Sequence, residues 1–298
     1  MRASASAYLP LCEPTRQSIN SGHVRVTRLL RRDSSLLECR SPRVAYRRLG
    51  ELYAVKSVRL GATPAERATQ LREVVMHERV SGKHENIVGL RDCFFDSHHL
   101  YFVLDGIFGG DLQEAIAERA PFFYDDGATR SVFTQVVDAV AFCHSQTLFH
   151  RNIKPSNILC SMDGKRIFLS NFGLATEKEE SDEFGIGTLP YMCPEAINPG
   201  RELECYSTRQ GDLWAIGILL VDMLTGRTPW SEATVADADF RLYLQSPSCS
   251  LNGLPISPDV KRLIQRVLHH NSAKRISAYE LLARLPSVQT FFPTKEEL

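Results

Sequence analysis

Hydrophobic and polar positions fall into two periods along the chain. Val24, Val26 and Leu29-Leu30 form one short apolar run, and Leu52 to Val58 (LYAVKSV) forms a stronger one, rich in β-branched and aromatic residues. Such runs predict strands. Residues 64–81 change to helical composition, with Pro64 near the start and Leu71, Val74, Val75 and Val80 on one broad side. Two further strands are expected at 87–95 and 100–104, with His98-His99 as the turn between them.

After Gly109-Gly110 the spacing is mainly helical. Val132, Phe133, Val136, Val137, Val140 and Ala141 recur at three and four residues and predict a buried helix face. Residues 148–173 return to short strands and loops, and helices are expected at 211–225, 235–245, 258–268 and 277–285. The order is a small β-rich part with one helix, then a larger helical part. No internal repeat or low-complexity tract breaks it.

At 298 residues, 43% apolar and 23% charged, the chain has the balance of a folded protein with a substantial core. Lys+Arg and Asp+Glu are both 35, so the global charge implies neither nucleic acid nor a membrane surface. The distribution is uneven. Residues 1–50 hold ten arginines, no lysine and three acids, which leaves +7 on this stretch. Either this is a solvated tail or a basic arm for RNA, anionic lipid or an acidic partner.

Eight dispersed cysteines with no CxxC or Cys/His cluster argue against a metal site. The most apolar stretch, Leu213 to Leu224, has 12 residues and carries Asp222, too short to span a bilayer. A reduced, soluble protein of cytoplasm or nucleus is expected.

Several short motifs carry chemistry. They are YAVK at 53–56, Glu73 in the helix that follows, HRNIKPSN at 150–157, NFG at 171–173, GTLPYMCPE at 187–195, DLW at 212–214 and Arg275. In this order they resemble the signature set of eukaryotic protein kinases, and Lys154 marks the Ser/Thr type. The segments LREVVMHERVSGKHENIV and YSTRQGDLWAIGILLVDMLTGRTPW are most similar to fungal kinases that hold cells out of conjugation and meiosis. The resemblance implies an α+β, bilobal fold, with a small antiparallel β lobe carrying one helix and a larger, mainly α lobe. It places a basic tail at 1–24, the small lobe at 25–104, the large lobe at 105–292 and a short tail at 293–298.

The resemblance also assigns roles. Lys56 and Glu73 pair either to orient phosphates or only to tether the helix to the sheet, and Ala54 and Leu159 wall the adenine. Asp105, Ile107 and Asp111 line the nucleotide side, Asp111 alternatively being a helix cap. Lys154 and Thr188 belong to the catalytic loop and its neighbour. Asn157 is a metal ligand or bonds its own loop. His150 and Phe172, with His77, form an internal stack. Glu195 with Arg275, and Asp212 beneath His150-Arg151, are buried polar ties.

Two aspartates of the family pattern are absent. Asn152 stands at the general-base position, where a neutral amide accepts no proton near neutral pH. Asn171 stands at the Mg²⁺ position, where a hard cation prefers carboxylate oxygen. In the glycine-loop register, Arg31, Asp33 and Leu36 replace the glycines that let backbone approach phosphate, and residues 26–45 contain no glycine.

The expectation is therefore a kinase fold that binds ATP weakly without Mg²⁺, through Lys56, or not at all. It acts on protein partners, such as an active kinase or a kinase substrate, and has no specific nucleic acid. A weakly active Ser/Thr kinase is the alternative, and an adaptor using the arginine-rich start is a third reading. Finally, five acids at 177–183 either stay solvated or meet Arg151 as a built-in substitute for a phosphate.

Overall fold

Val55 alternates with half-buried neighbours, whereas Leu100 to Val103 are buried without a break because both faces of that strand are covered, and the backbone answers with antiparallel strands. The computed structural model describes residues 44–48, 51–118, 125–200 and 202–293. The expected strand near 25–30 and the positions Arg31, Asp33 and Leu36 lie outside these. The described residues fall into two compact units, one holding those up to Glu78 together with 89–106 and the other holding 79–88 together with those from Ile107 onward.

In the smaller unit, β1 (Val44–Arg48), β2 (Glu51–Arg59), β3 (Leu90–Phe95) and β4 (His99–Asp105) form one antiparallel sheet in the order β1-β2-β4-β3. Helix α1 (Pro64–Val80) follows β2. Val74 of α1 packs with Cys93, Leu100 and Phe102 on one face of the sheet, while Val55, Phe94, Tyr101 and Val103 cluster on the other. The expected strand at 87–95 begins only at Leu90, because Ile87 bridges to Leu169 in the larger unit. His99 is strand rather than turn.

The larger unit is mainly helical. Its elements are α2 (Leu112–Ala117), α3 (Asp126–Ser145), β5 (Ile158–Cys160), β6 (Ile167–Leu169), β7 (Glu180–Ser181), α4 (Pro194–Ile197), β8 (Tyr206–Ser207), α5 (Thr208–Thr225), α6 (Ala238–Gln245), α7 (Pro247–Asn252), α8 (Pro258–Val267) and α9 (Ala278–Arg284). Side-chain oxygens cap the starts. Asp125 accepts from Ala128 N–H, Ser257 from Val260 N–H and Ser277 from Glu280 N–H.

Helix α5 is buried almost throughout, which explains its continuous apolar run, and it ends at Gly226 with φ 73°. Gly217 permits close packing within this unit, since a Cβ there would lie 2.6 Å from Leu268 Cδ2. No helix among the described residues is long and apolar enough to cross a membrane.

Candidate active site

In the smaller unit, β2 presents Lys56 and α1 presents Glu73. Lys56 Nζ donates to Glu73 Oε1 at 2.5 Å, with the two side chains 25% and 13% exposed. Lys56 also lies 5.3 Å from the centroid of the Phe102 ring. Ala54 pairs with Leu104 across β2 and β4. Asp105, at the end of β4, accepts from Gly89 N–H at 3.1 Å and pairs with Arg91, so its carboxylate is already engaged.

In the larger unit, Ile107 is half-buried and Leu159 pairs with Phe168 in the β5-β6 ribbon. Asp111 caps α2, accepting from Glu114 N–H. It also forms an isolated bridge with Leu159. The 150–157 loop is held from below by Asp212 of α5, which is 1% exposed. Its carboxylate accepts from the backbone N–H of His150 (2.8 Å), the backbone N–H of Arg151 (2.8 Å) and His144 Nε2 (2.9 Å). Arg151 has φ 61°, a left-handed conformation costly for a side-chain-bearing residue and fixed here by that carboxylate.

His150 is fully buried. Its Nε2 donates to Ser170 O at 3.0 Å, and Nδ1 accepts from Asn152 N–H at 3.3 Å. Burial lowers its pKa, more than the nearby Asp212 carboxylate raises it, which favours the neutral ring that these bonds require. The ring meets Phe172 edge-on, with centroids 5.1 Å apart.

Around this scaffold the three asparagines are joined. Asn171 Nδ2 donates to Asn157 Oδ1 at 2.9 Å, and Asn157 Nδ2 donates to the Asn152 carbonyl at 2.7 Å. Asn152 Oδ1 accepts from the Thr188 hydroxyl at 2.8 Å. Asn171 has φ 66°, which asparagine tolerates better than most residues. Lys154 is half-buried at the start of the short turn Pro155–Asn157.

These groups do not fit a divalent cation well. Asn157 Oδ1 already holds a hydrogen-bond donor, and Asn171 directs N–H rather than a carboxylate oxygen toward it. Among the described residues, no three His, Cys, Asp or Glu side chains converge as a metal-ligand set.

The acidic run is partly docked. Arg151 Nη1 bonds Glu183 at 2.6 Å, with the guanidinium side chain only 5% exposed. Glu179 pairs with Arg209 at 3.0 Å, and Glu177 pairs with Arg79. Strand β7 adds to β8, and the Thr208 hydroxyl donates to Lys178 O at 2.7 Å. Of the two readings of the run, the one in which a carboxylate meets Arg151 describes Glu183. Farther down, Arg275 bonds Glu195 at 2.6 Å and stacks 4.7 Å from the Trp214 ring centroid.

Sequence reasoning missed several of these partners. His144 is the third donor to Asp212, yet it sits in a helix whose apolar spacing alone drew attention. Arg79 and Arg209 lie 98 and 30 residues from their acids, so no local pattern links them.

A protein kinase domain family model matches residues 42–285. A "Negative regulator of sexual conjugation and meiosis" of Schizosaccharomyces pombe is 33% identical over 252 residues, covering 78% of this chain and 53% of that protein. An "Aurora kinase" of the same yeast is 32% identical over 205 residues, covering 67% of this chain and 54% of that protein. "CBL-interacting serine/threonine-protein kinase 9" of Arabidopsis thaliana is 31% identical over 206 residues, covering 67% of this chain and 44% of that protein. The chain spans about half the length of the curated relatives it matches.

Proposed function

The chain belongs to the protein kinase domain family, and from that premise we propose that it is a pseudokinase: a binding, scaffolding or regulatory module that offers a kinase surface to protein partners without efficient phosphoryl transfer. Protein kinase domains in general use ATP and Mg²⁺. One observation carries the proposal. The amide of Asn171 donates to Asn157 Oδ1, and Asn157 in turn donates to the Asn152 carbonyl. Carboxylate oxygens facing one another repel and draw a cation between them. This neutral donor-acceptor chain is satisfied by itself and carries no net charge to attract one.

The base position supports the same reading. Asn152 Oδ1 is occupied by Thr188, and the amide nitrogen is a donor that takes no proton from a substrate hydroxyl. The ordered loop, the Asp212 tie and the Glu195-Arg275 pair preserve a surface for partners, an active kinase or its substrate among them.

A weakly active Ser/Thr kinase is the second reading, favoured by the retained Lys56-Glu73 pair. Thermal unfolding with ATP, with and without Mg²⁺, separates the two. Ligand at a hundred times its dissociation constant adds about 2.7 kcal/mol, roughly 5–10 °C for a domain of this size. The proposal expects melting temperatures within about 1 °C of each other with and without Mg²⁺. A Mg²⁺-dependent rise of roughly 5 °C or more favours the kinase reading.

A further inference from the structure

On the larger unit, Phe184, Gly185, Ile197, Asn198 and Leu203 enclose an open depression of about 350 Å³. Phe184, Ile197 and Leu203 give it apolar surface, and Asn198 and backbone give it polar surface. Phe184 and Ile197 are half-buried, and Leu203 is 42% exposed, large for an unpartnered leucine. The walls are built before any ligand arrives. Gly185 N–H donates to Ala196 O at 2.8 Å, and Asn198, at φ 45°, accepts from Glu202 N–H (3.1 Å) and donates to Leu203 O (3.1 Å). Phe184 is steadied by Tyr206, ring centroids 5.6 Å apart.

Carboxylates stand next to the lining residues in the chain. Glu202 and Glu204 flank Leu203 on both sides, and Glu180 sits 3.6 Å from the Cys205 sulfur beside them. Glu180, Glu202 and Glu204 are exposed and form no ion pair among the described residues, in contrast to Glu177, Glu179 and Glu183 of the same surface, which are paired. Among the described residues Asp182 pairs with Lys178, at 3.7 Å. The crowding of carboxylates registers at Cys205, whose thiol is pushed up, first by desolvation and then by Glu180, with Glu204 and Asp182 adding to it.

We propose that this depression docks a separate protein segment carrying arginine or lysine around one apolar side chain. Three exposed carboxylates that form no ion pair among the described residues, next to a hollow lined by Phe184, Ile197 and Leu203, complement that chemistry: cations meet the carboxylates and the apolar group displaces water from the three side chains. The inference deepens the pseudokinase reading by giving the partner's chemistry. The two fail separately, because docking is measured without nucleotide and catalysis without the docked segment.

The test uses the full chain and a fluorescein-labelled Arg-Arg-Leu-Arg-Arg peptide, which has no hydroxyl to phosphorylate, followed by fluorescence anisotropy in about 50 mM salt. Expected are saturable binding, roughly tenfold weaker binding after joint Glu180→Gln, Glu202→Gln and Glu204→Gln substitution, and similar weakening by Leu203→Ser. On the unaltered chain, exchange of the peptide's leucine for alanine should weaken binding by a comparable factor, which keeps the test decisive if a variant folds poorly. The proposal is overturned by no binding to the unaltered chain, by affinity within twofold for the triple variant, or by equal binding of the alanine peptide. It is also overturned if sedimentation shows self-association that the triple substitution abolishes, since the surface then serves a second copy of the chain.

Discussion

Joint Asn152→Asp and Asn171→Asp substitution is expected to raise Mg²⁺-dependent nucleotide affinity by about tenfold or more, while transfer to a generic Ser/Thr peptide stays well below ordinary kinase rates of about 1–100 per second. The geometry explains both halves. An aspartate at 171 removes the N–H that satisfies Asn157 Oδ1 and puts carboxylate oxygen in its place. Asn157 cannot relieve the clash by turning its amide over without losing its 2.7 Å bond to the Asn152 carbonyl. Facing oxygens then attract a cation.

An aspartate at 152 adds a proton acceptor, a contribution of about 10²–10⁴-fold in a complete site. Each substitution alone should achieve little, because groups that act together are strongly non-additive. The sequence register with the family's glycine loop sets Arg31, Asp33 and Leu36 at its glycine positions, so Arg31→Gly, Asp33→Gly and Leu36→Gly should raise the rate further. Isothermal titration and peptide phosphorylation check this, and an ordinary kinase rate from Asn152→Asp alone contradicts it.

Asp212→Ala is expected to destabilise the protein by about 3–5 kcal/mol. Three donors lose the carboxylate that accepts from them in one step: the N–H groups of His150 and Arg151, and His144 Nε2. Orphaning each buried donor costs about 1–3 kcal/mol. Arg151 at φ 61° then lacks the bond that holds its left-handed backbone. Asp212→Asn should restore part of the loss, since an amide oxygen accepts while its N–H₂ opposes one of the donors. Urea unfolding measures this, and a loss under about 1 kcal/mol contradicts the account.

Some of this architecture was legible in the sequence and some was not, for physical reasons. Helix α3 and helix α5 were visible because burial demands apolar residues at regular spacing. Helix α7 was not, since PSCSLN offers only Leu251 to the core. Strand β1, VAYRR, falls within the stretch 25–60 expected to hold strands joined by turns, but its bounds were not legible because its arginines mask any alternation. In α1 the expected side held Leu71 and Val75, yet Met76 and His77 join Val74 and Val80 as its buried residues. A buried histidine does not declare itself in a hydropathy pattern.

The candidate site shows the same division. Residue types alone gave asparagine at 152 and 171, where the resemblance implies carboxylates. The bond between Asn171 and Asn157 depends on rotamers and backbone twist 14 residues apart, so only coordinates expose it. For the acidic run, composition could not choose between solvation and docking, because that choice turns on where Arg151 points.

The most direct test of the central claim is the rate at which the unaltered chain transfers labelled phosphate from ATP with Mg²⁺ to a Ser/Thr peptide or to itself, compared with Lys56→Ala. The account predicts a rate at least about a hundredfold below the ordinary 1–100 per second, with no further fall in the Lys56→Ala variant. Transfer at ordinary rates that Lys56→Ala abolishes would contradict it and make Asn152 a working hydroxyl-positioning group.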